Sequence, residues 1–310
     1  MTNKIPFAIG AGLVGAALLL LALSGLPALM VLLYLVPFPL FLAGLMLGLG
    51  PLAIAGAIGA ALVLTLGGPV PGLAFPVLFV LPALVIVRQA LLSRTSPDGV
   101  TEWYPPGLLA GWLAIMAAGA LAIMDLAFLG ADGGLEGVIA GTLPRVLEQI
   151  SGGEPPPELK AGIERMTRTL PAMMGWVWMG ITALNAVIAQ NVAQKANKAL
   201  RPTPEFVRIE APGWLIYAVA AAVVLGLVGP DRLDYLGANA AAIFALPYFL
   251  VGLAVAHTFA RRTSSRSLVL AGFYIALILL GDIAMFAVSA LGLAEQFIHL
   301  RRRWAGPGPV

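Results

Sequence analysis

The chain has 310 residues, 60% of them hydrophobic and 11% charged, with a formal net charge of +3 and a mean hydropathy of +0.95. Soluble domains carry roughly 25% charged residues, so this sequence cannot coat a water-facing surface, and a soluble enzyme is excluded. The small positive excess, without any basic and aromatic stretch, excludes a nucleic-acid partner, and the absence of cysteine removes disulfides, thiolate metal sites and cysteine nucleophiles.

A helix crossing a ~30 Å hydrocarbon layer needs roughly 20 apolar residues. That ruler predicts an all-α, polytopic membrane protein of about nine spans, at 5–24, 28–48, 51–67, 72–92, 106–129, 171–193, 212–229, 236–259 and 267–292. The first run, Met1 to Leu23, has signal-peptide features, but a second apolar run follows at once, so it reads as a retained helix. The first four spans are joined by the short, uncharged links Ser24-Gly25-Leu26-Pro27, Gly50-Pro51 and Gly67-Gly68-Pro69-Val70-Pro71. Residues 1–92 therefore read as a compact four-helix unit. Residues 93–130 supply an inner loop and the fifth span, and 131–170 an outer segment. Residues 171–300 form a second helical unit of four or five spans, and 301–310 a basic, Gly/Pro-rich tail.

The outer segment is patterned. Leu135, Val138, Ile139, Leu143, Val146, Leu147 and Ile150 recur at helical spacing, with Glu136, Arg145 and Glu148 between them, which marks an amphipathic helix. The run from Ser151 to Pro157 ends it. A second short pattern, Leu159, Ile163, Met166 and Leu170, leads into the sixth span. Such helices act as a stabilising cap or as a lid over a substrate path. Trp103, Tyr104, Trp176, Trp178, Trp214 and Tyr217 sit at span starts, where an interfacial aromatic belt belongs.

Charge then sets orientation, since short cytoplasmic loops carry excess Lys and Arg. With the N-terminus inside, Lys4, Arg88, Arg94, Lys195, Lys198, Arg201, Arg208, Arg261, Arg262 and Arg266 fall on the inner side. Arg145, Lys160, Arg165, Arg168 and Arg232 fall outside, offset by acids that include Asp132, Glu136, Glu148, Glu154, Glu158, Glu164, Asp231 and Asp234. The chain thus reads as a plasma-membrane protein. Nine spans place Arg301-Arg302-Arg303 outside, against this rule. Either the long last run turns back at Gly281-Asp282, giving ten spans, or its end lies along the surface.

Polar groups inside spans are costly and mark candidate sites. Asp125, Asn185, Asn239 and Asp282 form the candidate polar cavity, with Asp282 placed deepest. The alternatives are plain: Asn185 and Asn239 as interhelical hydrogen bonders, Asp125 as a shallow interfacial residue, and Arg88, Gln190, Asn191 and His257 as residues that snorkel. Prolines at 37, 39, 76, 82 and 247 free backbone carbonyls that must be buried in protein or line a cavity. Span four, with Pro71, Pro76 and Pro82, is the strongest candidate for an irregular, cavity-lining helix. Gly12 and Ala16, Gly44 and Gly48, and Gly56 and Ala60 supply small-residue packing faces.

Catalysis finds no support. An intramembrane aspartyl protease needs Gly-x-Gly-Asp, whereas Asp282 is preceded by Leu279-Leu280-Gly281, and Asp125 by Met124 instead of tyrosine. No zinc His-Glu-x-x-His, phosphate-binding glycine loop or nucleophile elbow occurs. No catalytic residue, metal or cofactor is assigned.

From Gly237 to Arg262, the residues Asn239, Tyr248, Phe249, Gly252, Leu253, Ala254, Val255 and His257 resemble the YybS-like family of bacterial multipass membrane proteins. The closing run Leu291-Gly292-Leu293-Ala294-Glu295-Gln296 to Arg301 looks like that family's last element, with Glu295 near its usual aspartate. The resemblance implies a multipass architecture and brings no assigned activity. More distantly, residues 1–90 resemble the substrate-binding S components of energy-coupling-factor transporters, whose first helix contacts a coupling subunit; Ala8, Gly12 and Ala16 would supply that face.

Two functions remain open. One is a transport-type component that binds a small solute without its own ATPase, working with an energising subunit. The other is a non-transporting scaffold or assembly factor that docks a partner or lipid through Lys195, Lys198, Arg201, Arg208, Arg261, Arg262 and Arg266.

Overall fold

The structure, a computed structural model, describes residues 4–151, 157–230 and 232–305. Glu154 and Asp231, assigned above to the outer charge set, lie outside the described residues, as do the side chains of Leu159, Glu158 and Lys160. Among the described residues the chain is all-helical apart from one small hairpin. Among the described residues, seven helices are long and apolar enough to span: Lys4–Ala22, Pro27–Leu47, Leu49–Gly67, Pro69–Ala90, Pro106–Ala127, Gly162–Lys195 and Arg232–Ala260. Leu215–Val228 and Arg266–Leu280 are shorter apolar helices.

The chain forms two compact units, Met1–Leu113 with Trp178–Glu205, and Ala114–Val177 with Phe206–Val310. The breaks after Leu113 and Val177 fall inside helices, and the one after Glu205 falls in a loop. The reason is local: residues after 177 bond into the first unit, as shown below.

In the first unit, α1 (Lys4–Ala22) is followed by a 3₁₀ segment, Pro27–Leu35, and α2 (Pro37–Leu47). Gly48, at φ 96°, turns the chain into α3 (Leu49–Gly67), and Gly68, at φ 88°, turns it into α4 (Pro69–Phe75). A π-turn, Pro76–Val80, joins α4 to α5 (Leu81–Ala90), so span four is irregular where its prolines predict. The loop after it holds the unexpected hairpin. β1 (Ser93–Thr95) pairs antiparallel with β2 (Thr101–Trp103), and Ser96-Pro97-Asp98-Gly99 makes the turn, with Gly99 at φ 78°. Helix α6 (Pro106–Ala127) begins after it.

Glycine sets the packing of this unit. A Cβ on Gly12 would lie 2.4 Å from the Ala55 carbonyl oxygen, and one on Gly56 would lie 2.3 Å from Val80. Gly59 accepts the Phe75 ring, which is fully buried. Gly48, by contrast, acts through its left-handed conformation and not through a packing face. Ala8 and Ala16 are fully buried and Gly12 packs on α3, so the face proposed for a coupling subunit is occupied by the chain's own helix.

The second unit contains α7 (Gly134–Ser151) and the first part of α8 (Pro157–Lys195), one 39-residue helix in place of the two separate patterns expected. Then come α9 (Leu215–Val228), α10 (Arg232–Ala260), α11 (Arg266–Leu280), α12 (Asp282–Ile298) and α13 (Leu300–Ala305). The expected single span 267–292 is two helices, broken at Gly281 with φ 51°. Helix α10 is the hub. Gly237 meets the α9 backbone at Gly226, and Gly252 meets the α12 backbone at Val288 and Gly292. Gly252 crosses at Gly292, while Phe259 and Arg262 meet Trp304. After the left-handed His299 the chain end returns to the Arg261–Arg262 end of α10.

Gly12→Ala is expected to lower the thermal stability of the detergent-purified protein, by roughly 1–3 kcal/mol for an overpacked contact. A Cβ at Gly10 meets nothing within 4 Å, so Gly10→Ala should leave stability unchanged or raise it through helix propensity. Paired melting curves read the contrast.

Candidate functional site

Membrane hydrocarbon offers no hydrogen bonds, so each helix break must be repaired by protein. Proline removes one N–H and pushes on the carbonyl four residues earlier. Pro82 faces the Leu78 carbonyl, and the Trp178 indole donates to that oxygen at 3.0 Å. Pro37 cannot donate to the Tyr34 carbonyl at the end of the 3₁₀ segment, and Asn185 Nδ2 donates there at 2.8 Å. Pro171 faces the Thr167 carbonyl, which accepts from the Tyr235 hydroxyl at 3.1 Å. Next to it, Asn239 inserts its amide into the broken ladder: Nδ2 donates to the Arg168 carbonyl and Oδ1 accepts the Ala172 N–H, both at 2.9 Å. Trp176 donates to the Ala242 carbonyl at 2.6 Å, one residue before the carbonyl facing Pro247. Trp176 and Trp178 are thus tied to specific carbonyls, beyond any role in an aromatic belt.

Of the four residues of the expected polar cavity, Asp125, Asn239 and Asp282 belong to the second unit. Asn185 belongs to the first unit, and Asn239 is spent on α8. Asp282 is exposed, in the first turn of α12 just after Gly281, and not deep within a span. The cause of that error is the break itself, which makes mid-sequence into a helix end, where a carboxylate also meets a favourable dipole. The irregular span four does not line the recess found in the first unit either. That recess, of about 510 Å³, lies among α1, α2 and α8.

Asp125 does belong to a cleft system. It is 2% exposed, and its Oδ2 accepts from Arg232 Nε at 3.2 Å. Its Oδ1 has no partner. Above the pair, Leu129, Gly133, Gly134, Glu136, Arg168, Arg232 and Asp234 line a cleft of about 460 Å³. Gly133 and Gly134 hold positive φ, 72° and 60°, and the Arg232 stem lies against Gly134, whose Cβ would meet it at 2.9 Å. Arg168 and Glu136 face one another at 3.7 Å. The cleft walls therefore carry two guanidinium groups and two carboxylates. Arg168 and Arg232, and the glycine turn that seats Arg232, were not singled out by the sequence; spacing alone does not connect residues 125, 133, 168 and 232.

Of the seven residues expected to dock a partner, six are exposed: Lys195, Lys198, Arg208, Arg261, Arg262 and Arg266. Arg201 is the exception, at 6% exposure. Its Nη1 donates to the Ala90 carbonyl at 2.8 Å, capping the end of α5, and its guanidinium reaches the Tyr104 carbonyl at 3.4 Å and lies 5.7 Å from the Trp103 ring centre. Burial lowers its pKa. Gln190 donates to the Arg201 carbonyl, fixing the loop to α8.

A further cleft of about 410 Å³ lies beside the chain end, lined by residues that include Arg208, Glu210, Glu295, His299, Arg301 and Arg302. There Arg301 pairs with buried Glu295 at 2.8 Å and donates to the Val207 and Ile209 carbonyls.

Residues 14–295 match the family described as Predicted membrane protein (DUF2232). The chain belongs to this family. No curated protein and no solved structure matches it. Membership fixes an integral membrane protein in a family without an assigned activity, and the geometry above must carry the rest.

Asn239→Ala is expected to destabilise the protein by roughly 1–3 kcal/mol, the cost of leaving buried backbone groups unpaired. In a Pro171→Ala background the helix can close its own ladder, so the same substitution should cost less. A double-mutant cycle on melting temperature measures that coupling.

Proposed function

We propose that the protein is a transport-type, solute-binding membrane component without its own ATPase, taking a small zwitterion in the charged cleft beneath α7. The observation that carries this reading is the cleft over the Asp125–Arg232 pair, in the volume range of about 300–1,000 Å³ typical of ligand sites. Arg168 and Arg232 would take a carboxylate, and Glu136 and Asp234 an ammonium group. Buried Asp125 holds Arg232 in place and keeps one unpaired oxygen behind it.

The finer likeness to the YybS-like proteins belongs to the same reading. So does the topology: the protein sits in the plasma membrane with its N-terminus cytoplasmic, the cleft outside, and ten crossings counted through the Gly281 turn. Ten crossings put Arg301–Arg303 on the same side as Arg261 and Arg262, which agrees with the Arg262–Trp304 contact and removes the conflict with the positive-inside rule.

A second reading, a scaffold that docks an acidic partner on its inner face, is favoured by the exposure of Lys195, Lys198, Arg208, Arg261, Arg262 and Arg266. Arg201 is not part of that surface.

Melting curves of the purified protein across free amino acids, simple carboxylates and simple amines separate the readings. The zwitterions alone should raise stability, by about 2.7 kcal/mol at a hundredfold excess over Kd, and Arg232→Gln or Asp234→Asn should remove the shift. No shift with any zwitterion, together with loss of the cellular phenotype on neutralising Lys195, Lys198 and Arg208, would leave the scaffold in its place.

A further inference from the structure

The recess in the first unit is a separate feature from the charged cleft. Its walls are Phe7, Gly10, Ala11, Val14 and Leu18 of α1, Leu35 with Phe38, Pro39 and Leu42 at α2, and Ile188 of α8. Asn185 is the one polar residue among the lining residues. It is 2% exposed; its two amide hydrogens go to the Tyr34 and Ile181 carbonyls, both at 2.8 Å, and its Oδ1 accepts nothing. Both donors being spent fixes the orientation of the amide, so Oδ1 is the acceptor left over. An unpaired carbonyl oxygen costs most where water is scarce, and here it is enclosed in the wall of an apolar trough.

The dimensions identify what fits. From Phe7 to Leu18 the trough follows about 16 Å of helix at 1.5 Å per residue. That is close to half of a ~30 Å hydrocarbon core, one leaflet deep. Leu35 and Asn185 stand beside the Leu18 end, given the hydrogen bond from Asn185 to Tyr34. The lining carries no charged residue, so charge complementarity comes down to the partial negative charge on Oδ1, which calls for a neutral donor. An acyl chain alone leaves it unpaired. A quinone carbonyl or an ester would repel it.

We infer that this recess is a binding site for a lipid-soluble alcohol or phenol, an elongated apolar molecule whose hydroxyl donates to Asn185 Oδ1 while its hydrocarbon body lies along α1. The site sits wholly within the first unit and does not depend on the zwitterion reading of the cleft.

The test is photolabelling of the full-length protein in lipid nanodiscs with a diazirine-bearing hexadecanol and with its methyl ether, read by mass spectrometry of the peptides around residues 7–18 and 35–42. The alcohol should label these peptides roughly three- to tenfold more than the ether, the factor expected for one net hydrogen bond. Gly10→Leu should suppress that labelling, because a side chain grown from Gly10 meets no protein atom within 4 Å at its Cβ and enters the recess, and the substitution favours the helix. Asn185→Leu, which also removes two structural bonds, is read only beside a melting curve. Equal labelling by alcohol and ether overturns the donor requirement, and labelling that Gly10→Leu leaves unchanged overturns the site.

Discussion

The structure depends on one constraint, the orphaned backbone carbonyl in a medium without water. The chain carries 24 prolines, and those inside spanning helices, such as Pro82, Pro171 and Pro247, open the ladder. The repairs come from distant residues: Trp178 for Leu78, Asn185 for Tyr34, Tyr235 for Thr167, and Asn239 for Arg168 and Ala172. Each repair ties two stretches of chain at least 67 residues apart in sequence. A proline in one helix thereby dictates a donor in another, and the helix pairing follows. An interhelical hydrogen bond in membranes averages only about 0.6 kcal/mol, yet here its loss would leave an unpaired backbone group, which costs more than the bond itself contributes.

Glycine answers the second demand, close approach. Where donors must reach across helices, the backbones have to come near, and Gly12, Gly56, Gly237, Gly252 and Gly292 allow this. Helix α10 divides the two purposes between its sides: Gly237 meets α9 and Gly252 meets α12 on one, while Tyr235 and Asn239 mend α8 on the other. This explains why the run from Gly237 to Val255 is dense in small and polar residues. The pattern that resembles the YybS-like proteins is, physically, a packing and splinting surface.

The class, the helical content, the irregular fourth span, the amphipathic helix at 134–151 and the need to repair prolines were legible in the sequence, because each rests on composition or local periodicity. What was not legible is pairing. Asn185 and Asn239 were seen as polar groups within spans, but position in sequence cannot say whether an amide faces a solute or a backbone group 151 or 67 residues away. Arg201 looked like a surface charge because it lies in a basic loop; the bond to Ala90 that buries it is a tertiary fact. The hairpin at 93–103 was missed although Ser-Pro-Asp-Gly is a turn signal, since hydropathy windows average over so short an element. The break at Gly281 belonged to one of two readings of the last run, and the positive φ at that glycine is the break itself.

Asp125 and Asp282 show how position turns the same side chain into different chemistry. By sequence, Asp282 was the deeper of the two and the harder to explain. In the fold it occupies a helix start, exposed, where the peptide dipoles already favour its charge. Asp125 lies near the end of α6 and looked shallow, yet it is the buried one, held to Arg232 with an oxygen to spare. A carboxylate removed from water needs compensation on both oxygens, and α6 and α10 supply it to only one. An incompletely paired buried charge is a costly arrangement for packing alone.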